Sequence, residues 1–391
     1  MTSVYEYSKL ANAEDGKKLG EILCQCFIGT PGDQESYINS IGVENFRILH
    51  QQGQIVGGLA IIPMGQWWGS QAIPMGGIAA VGIAPEYRGT GAAITMMQHT
   101  LKELHARSVP ISALYPATQR LYRKAGYEQA GSFCTWEIPC ETIPATEQPL
   151  PVVPVGFDIK VLNELYQQKA RLINGHLDRH QAIWERLNEP DEKETVYTYL
   201  IGSLKQPEGY IIFSQHWTED GSILRIKDWV LLTTAALQSF WNFIAGHRSQ
   251  IEKVRWRSSV VDSLALLLPE QTAKIKSTTR WMLRVIDVVK ALEMRGYPPG
   301  IEAELHLEIQ DDLLAENNGK FILAVSNGRG EVTSGGKGEL QLDVKGLAPL
   351  YTGLFTPQQL QLTKKLTATE PALLAATQIF TGASPWMPDF F

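Results

Sequence analysis

The residues best placed to do chemistry lie in one stretch, Val81-Gly82-Ile83-Ala84-Pro85-Glu86-Tyr87-Arg88-Gly89-Thr90-Gly91-Ala92-Ala93. An apolar strand pattern ends there in a glycine-containing turn that opens directly into a helical pattern. This gathers free backbone N–H groups and the positive end of a helix dipole at one point, and such a point binds pyrophosphate. Gly89 and Gly91 let the backbone approach an anion with no side chain in the way, and the Arg88 guanidinium can add charge-assisted hydrogen bonds. The stretch is not a Walker loop, since no Gly-Lys-Ser/Thr follows, nor is it the Gly-x-Gly-x-x-Gly of dinucleotide sites. Some thirty residues on, Leu114-Tyr115-Pro116-Ala117-Thr118-Gln119-Arg120-Leu121-Tyr122-Arg123-Lys124-Ala125-Gly126-Tyr127 offers a phenol, Tyr122. With a pKa near 10, such a group can give a proton to a leaving thiolate.

The spacing Arg88-x-x-Gly91-x-Ala93 after a strand ending in Ala84-Pro85 resembles the acyl-CoA signature of the GNAT N-acetyltransferases. The second segment resembles that family's splayed strand and its Tyr-x-x-x-Gly-Tyr helix. Two such segments and a C-terminal α/β unit in one chain are similar to the Eis (enhanced intracellular survival) acetyltransferases, which acetylate aminoglycoside amines. The resemblance implies that Val81, Gly82 and Ile83 hold the pantetheine arm of acetyl-CoA and that Arg88, Gly89, Thr90, Gly91, Ala92, Ala93 and Ile94 hold its pyrophosphate, with Ala117 and Thr118 completing the cofactor contacts. It also implies that Tyr122 is the general acid and that the C-terminal carboxylate, carried by Phe391, is the general base. In that family an acidic residue often precedes the terminal Phe; here Phe390 stands there and the carboxylate is Asp389. Asp33, Glu35 and Asp389 are the candidates for contact with a cationic amine substrate. A homo-oligomer, specifically a hexamer, is implied as well. Two alternatives stay open: a protein lysine acetyltransferase, and a non-catalytic lipid or acyl-CoA binding protein.

The elements that must position these groups are legible in the pattern. Ala13 to Phe27 reads as a helix, Phe46 to Leu49 and Ile55 to Met64 as a hairpin, and Gln71 to Ile83 as a further strand. Thr90 to Ala106 reads as a helix, Ile111 to Tyr115 as a strand, Gln119 to Ala125 as a short helix and Ser132 to Ile138 as a closing strand. Five prolines between Pro139 and Pro154 mark an exposed linker. The order of elements then repeats, but its strand–helix junction, Leu232-Thr233-Thr234-Ala235-Ala236, lacks the glycines and the arginine. That second segment reads as a silent duplicate. A third unit follows the break at Gly296-Tyr297-Pro298-Pro299-Gly300. The expected class is α/β (α+β): tandem GNAT folds with mixed, mostly antiparallel sheets and flanking helices over 1–145 and 146–285, then a sterol-carrier-protein-like α/β domain over 286–391.

Composition bounds the partners. The 391 residues hold 35 Lys plus Arg against 41 Asp plus Glu, a formal net charge of -6. This disfavours a nucleic-acid partner held through phosphates and suits a cationic one. No run of eighteen apolar residues is present and no leader precedes the first helix, so a cytoplasmic protein without a membrane span is expected. The four cysteines, Cys24, Cys26, Cys134 and Cys140, read as reduced thiols. His176 and His180 are spaced to share a helix face but lack a third ligand, so no metal site is expected. Trp184, Trp217, Trp229 and Trp241 read as core residues or as a cleft lining.

Overall fold

The computed structural model describes residues 5–190, 194–219 and 221–391. The first stretch runs β1 (Glu6–Lys9), α1 (Ala13–Phe27), α2 (Pro31–Ile41), β2 (Phe46–Gln51), β3 (Gln54–Trp68), β4 (Gln71–Ile83), α3 (Ala92–Ala106), β5 (Ile111–Leu114), α4 (Gln119–Lys124) and β6 (Glu128–Pro139). The middle holds β7 (Val152–Val155), α5 (Ile159–Ala170), β8 (Leu177–Asp178), α6 (Gln181–Asn188), β9 (Val196–Ser203), β10 (Gln206–Thr218), β11 (Gly221–Leu231), α7 (Thr234–Ala245) and β12 (Lys253–Ser258). The last contains β13 (Lys274–Val285), α8 (Val288–Met294), β14 (Ala303–Gln310), β15 (Gly319–Ser326), β16 (Arg329–Ser334), β17 (Leu340–Asp343), α9 (Val344–Thr352), α10 (Pro357–Leu362), β18 (Leu366–Ala368) and α11 (Glu370–Ile379).

These elements form two compact units. One comprises residues 1–130, 281–383 and Phe391; the other comprises 131–280 and 384–390. In the first, β1 to β5 lie side by side in chain order and the second half of β13 pairs with β5. All neighbours are antiparallel except β4 and β5, which run parallel. A separate sheet in the same unit orders its strands β16-β15-β14-β17-β18. In the second unit the order is β6-β12-β11-β10-β9-β7, again with one parallel pair, β11 with β12.

The expected linker is corrected by the structure. Residues 139–154 are tied down along the second unit: Cys140 N donates to Glu252 O (2.8 Å), Thr146 N to Asn242 Oδ1 (3.2 Å) and Leu150 N to Ser239 Oγ (3.0 Å). Val152–Val155 pair with β9 at the sheet edge, where a proline without an N–H is tolerated. The chain instead passes between units inside β6 and β13.

Apolar spacing gives no signal for helix α2, because its Gln, Glu, Ser and Asn residues offer little apolar contrast. Local capping makes it: the Thr30 side chain and Asp33 form a reciprocal box at the first turn. The tight turn between β3 and β4 has Gly69 and Ser70 both at positive φ, as a two-residue hairpin requires.

The 281–383 segment is built into the first unit. Gly296 N donates to Trp68 O (3.0 Å), the Trp68 ring meets Tyr351 edge-on at 5.6 Å, and Lys365 pairs with Glu128 at 2.9 Å. At that junction Gly69 and Gly296 touch backbone to backbone, so a methyl group on Gly296 collides with the Gly69 carbonyl. Gly296→Ala is expected to lower unfolding stability by about 2–3 kcal/mol, as overpacking against rigid backbone does. Chemical denaturation of the two proteins measures it.

Candidate active site

The site begins with a mismatch in strand length. β4 pairs with β5 only from Met75↔Ile111 to Ile78↔Leu114, where β5 ends, yet β4 continues to Ile83. Ala79 to Ile83 keep β3 on one side and, among the described residues, have no strand on the other. The pairing with β3 also slips here: Gly58 faces Gly82 while Ala60 faces Ala79, and Ala80 sits at φ 50°. This bulge turns the end of β4 away from β5. The result is an open fork in which, among the described residues, the β5-facing edge along Val81 and Gly82 has no strand partner, while Ile83 O at its end accepts from Arg88 and Cys26.

At the end of the fork the chain turns through Gly89 (φ 80°) and Gly91 (φ 92°) into α3. Both glycines face open space where a Cβ would be. Gly91 is the N-cap and has no side chain to accept from the first amides; no acidic residue stands in the first turn. The N–H groups of Ala92, Ala93 and Ile94 are therefore left for a ligand. Thr90 is held by its side chain, which accepts from Tyr5 Oη (2.7 Å) and donates to Tyr87 O (2.6 Å). Arg88 folds back: its Nε donates to Ile83 O (3.3 Å) and its Nη2 reaches Cys26 Sγ (3.5 Å), so the guanidinium lies at the end of β4. An uncapped helix end beside a free strand edge fits a diphosphate joined to an amide-bearing arm.

Across the fork stands α4, with exposed Ala117 and Thr118 leading into it. Tyr122 is buried and shares one apolar cluster with Ile78, Ile83, Ala92, Met96 and Leu114. Its ring meets Tyr127 edge-on at 6.2 Å, and among the described residues its hydroxyl has no hydrogen-bond partner. Burial pushes its phenol up to about 12, so it stays protonated at neutral pH. The Phe391 ring sits where β4 and β5 part: it meets Tyr115 edge-on at 5.7 Å, and a Cβ on Gly77 would lie 3.0 Å from it. Phe391 is 7% exposed, so this chain end is docked and not frayed. Neither Gly77 nor Tyr115 was singled out in the sequence. The Gly76-Gly77 doublet inside an apolar strand was the available signal, since glycine in a strand marks a close approach.

The acidic candidates separate. Asp33 and Glu35 are exposed on α2, and Thr30 bonds hold the Asp33 carboxyl below its ordinary value. Asp389 is corrected: it is 4% exposed and locked to Arg179 at 2.9 Å, with Asp228 on the same guanidinium at 2.6 Å. An aspartate so enclosed presents no charge to a substrate. In the same unit, α7 shows why the duplicated junction differs. Thr233 caps it by accepting from Ala236 N (3.1 Å) while donating to Glu208 (2.6 Å), so that helix end is already satisfied. His176 and His180 do not share a helix: His180 is the N-cap of α6 and His176 is stacked on Tyr166. Among the described residues no group of three or more His, Cys, Asp or Glu side chains converges to hold a metal. Trp184 and Trp241 are core residues, Trp229 carries Lys169 on its ring, and Trp217 is 80% exposed.

Acetyltransferase (GNAT) domain profiles match residues 8–130 and 175–285, and a sterol carrier protein domain profile matches 288–388. A GCN5-related N-acetyltransferase of Anabaena variabilis is 64% identical, with a TM-score of 0.97 over 99% of this chain and 100% of its own. An uncharacterized N-acetyltransferase of Streptomyces griseus is 26% identical, covering 89% of this chain and 86% of its own. The N-acetyltransferase Eis of Mycobacterium tuberculosis is 24% identical, over 78% and 77% respectively. This chain belongs to the GCN5-related N-acetyltransferases. It carries tandem GNAT folds and a C-terminal sterol-carrier-like domain, it is an N-acetyltransferase, and its fold implies acetyl-CoA as acyl donor.

If the α3 amides hold the cofactor, a β-branched side chain at the glycine N-cap must weaken binding. Gly91→Val is strained at φ 92° and shields those amides. Calorimetric titration with acetyl-CoA is expected to show an affinity loss of about tenfold or more, with an unchanged circular dichroism spectrum.

Proposed function

We propose that the protein moves an acetyl group from acetyl-CoA to primary amines of polycationic small molecules, aminoglycosides among them. The observation that carries this reading is the free edge of β4, lying between an uncapped helix end and a buried, unpartnered phenol. The expected contacts, Val81 to Ile83 for the arm, Arg88 to Ile94 for the diphosphate and Ala117 and Thr118 beside them, follow that edge and that helix end. The division 1–145, 146–285 and 286–391 remains the proposed assignment of cofactor domain, duplicate and tail-bearing domain.

Acetyl-CoA supplies an activated thioester. The β4 edge orients it, and the amine lone pair forms the new N–C bond as the C–S bond breaks. Tyr122 gives its phenolic proton to the sulfur. A phenol near 12 is matched to a thiolate forming in a dry pocket, where desolvation raises the basicity of sulfur too. The proton shed by nitrogen passes to the Phe391 carboxylate, directly or through a water. An α-carboxylate near pKa 3.5 is a weak base, adequate only because attack makes the nitrogen strongly acidic. The net charge of -6 and the exposed Asp33 and Glu35 favour a polycation. The curated relative named Eis supports the same direction. Exposed Val261 and Leu266, at 82% and 83%, suit a homo-oligomer, proposed as a hexamer.

Tyr122→Phe is expected to lower kcat about a hundredfold while acetyl-CoA affinity holds, measured by thiol release and calorimetry. Because the Tyr122 pKa is raised, the proton donor is present throughout the neutral range. The rate therefore climbs with pH through the amine pKa and shows no fall before about pH 11. A second test adds three residues after Phe391, which moves the terminal carboxylate away; turnover of a tobramycin-like polyamine is expected to fall at least tenfold with cofactor binding retained.

A further inference from the structure

We infer that Arg284 and Asp311, a buried ion pair outside the reaction site, are positioning residues for acetyl transfer. They fix the turn that holds Tyr122. The inference rests on the reading of Tyr122 as proton donor and adds to it what sets the donor in place.

Helix α4 is only six residues long, and its N-cap, Thr118, makes no side-chain capping bond. Such a helix has little stability of its own, so the aim of Tyr122 depends on how the C-terminal end is closed. That end is closed by backbone bonds to the donor residue itself: Ala125 N and Tyr127 N both donate to Tyr122 O, each at 3.0 Å. Gly126, at φ 89°, makes the turn possible.

Beneath this turn lies the Arg284 guanidinium. A Cβ on Gly126 would stand 2.6 Å from its Nε and 2.9 Å from its Cζ, so the turn rests directly on the charged plane. Arg284 is 0% exposed and its direction is set on two sides. Nη2 donates to both Asp311 oxygens at 2.7 and 2.6 Å, and Nη1 donates to Val285 O at 2.8 Å. Asp311 is itself held by Asn317 Nδ2 (2.8 Å), Leu313 N (3.0 Å) and Leu314 N (3.2 Å). Beside the pair, Tyr127 Oη meets Ser112 Oγ at 2.8 Å, and Ser112 faces Arg284 across β5 and β13. Ser112 Oγ also donates to Gly76 O at 2.7 Å, next to the glycine under the Phe391 ring. Leu314, three residues after Asp311, packs in the same cluster as Tyr122.

A buried ion pair is poor at adding stability, since apolar residues of like volume do as well. What it supplies is direction: a guanidinium plane held through Nη2 by the Asp311 carboxylate and through Nη1 by the Val285 carbonyl is fixed in orientation, where a methionine admits many. Asp311 lies in the sterol-carrier-like segment, which thereby takes part in aiming the acid as well as carrying Phe391.

The test is a double-mutant cycle on the full-length protein. Arg284→Met with Asp311→Leu removes both charges together, leaving none buried alone, and Asp311→Asn keeps the shape while removing the charge. Both are expected to bind acetyl-CoA as wild type does and to lose about thirtyfold or more in kcat. In each background Tyr122→Phe should now cost less than threefold, against about a hundredfold in wild type, because an acid already misaimed has little left to lose. If Tyr122→Phe costs the same factor in every background, the pair is merely structural and the inference falls, while the reading of Tyr122 stands. If Tyr122→Phe costs nothing in wild type, both fall. Should the double variant fail to fold, Asp311→Asn alone decides by the same cycle.

Discussion

The structure turns on one strand outrunning its partner. A backbone edge in a folded interior must find hydrogen bonds somewhere, and beyond Ile78 the β5 side of β4 finds none in a neighbouring strand. An extended, amide-bearing ligand satisfies that edge as a strand would. The bulge at Ala80, the glycines at 89 and 91 and the bare N-terminus of α3 all lie along the same line. Each is a local cost: a residue in the left-handed region, two flexible positions and an uncapped helix. Together they suit the cradle proposed for acetyl-CoA.

The duplicate makes the point by contrast. In the second unit the parallel pair β11 and β12 again stops short while β11 runs on, and a helix again follows the strand. There Thr233 satisfies the first turn and Asp389 and Asp228 share the buried Arg179. Lys169, pushed down to about 7 by burial, donates to the Trp229 carbonyl. Groups that stay open in the first unit are closed by the chain's own side chains in the second. Two copies of one fold thus differ in how the helix start and the strand end are capped and paired, which suits the separate roles proposed for them.

Much of this was legible in the residue order. Helix α1, strand β4 and the C-terminal end of α3 lie where apolar spacing puts them, because their burial faces are continuous and their ends carry strong breakers. The cradle was legible for a similar reason: glycine, arginine and helix start are adjacent in sequence, so their conjunction needs no tertiary contact. Helix α2 was hidden by its polar composition, and the proline stretch 139–154 read as a linker because extended edge backbone and free coil use the same residues.

The order of residues by itself determined the glycine turn into α3, the phenol thirty residues on and the repeat whose second junction lacks glycines, all properties of neighbours along the chain. Only the tertiary structure decided that Phe391 packs over Gly77, that Asp389 is spent on Arg179, and that Arg284 lies under Gly126 held by Asp311. Those partners are separated by 314, 210, 158 and 27 positions, and no periodicity reports a contact across such spans. A carboxylate reads the same in sequence whether it faces water or a buried guanidinium; burial and the partner settle its chemistry, and folding alone supplies both.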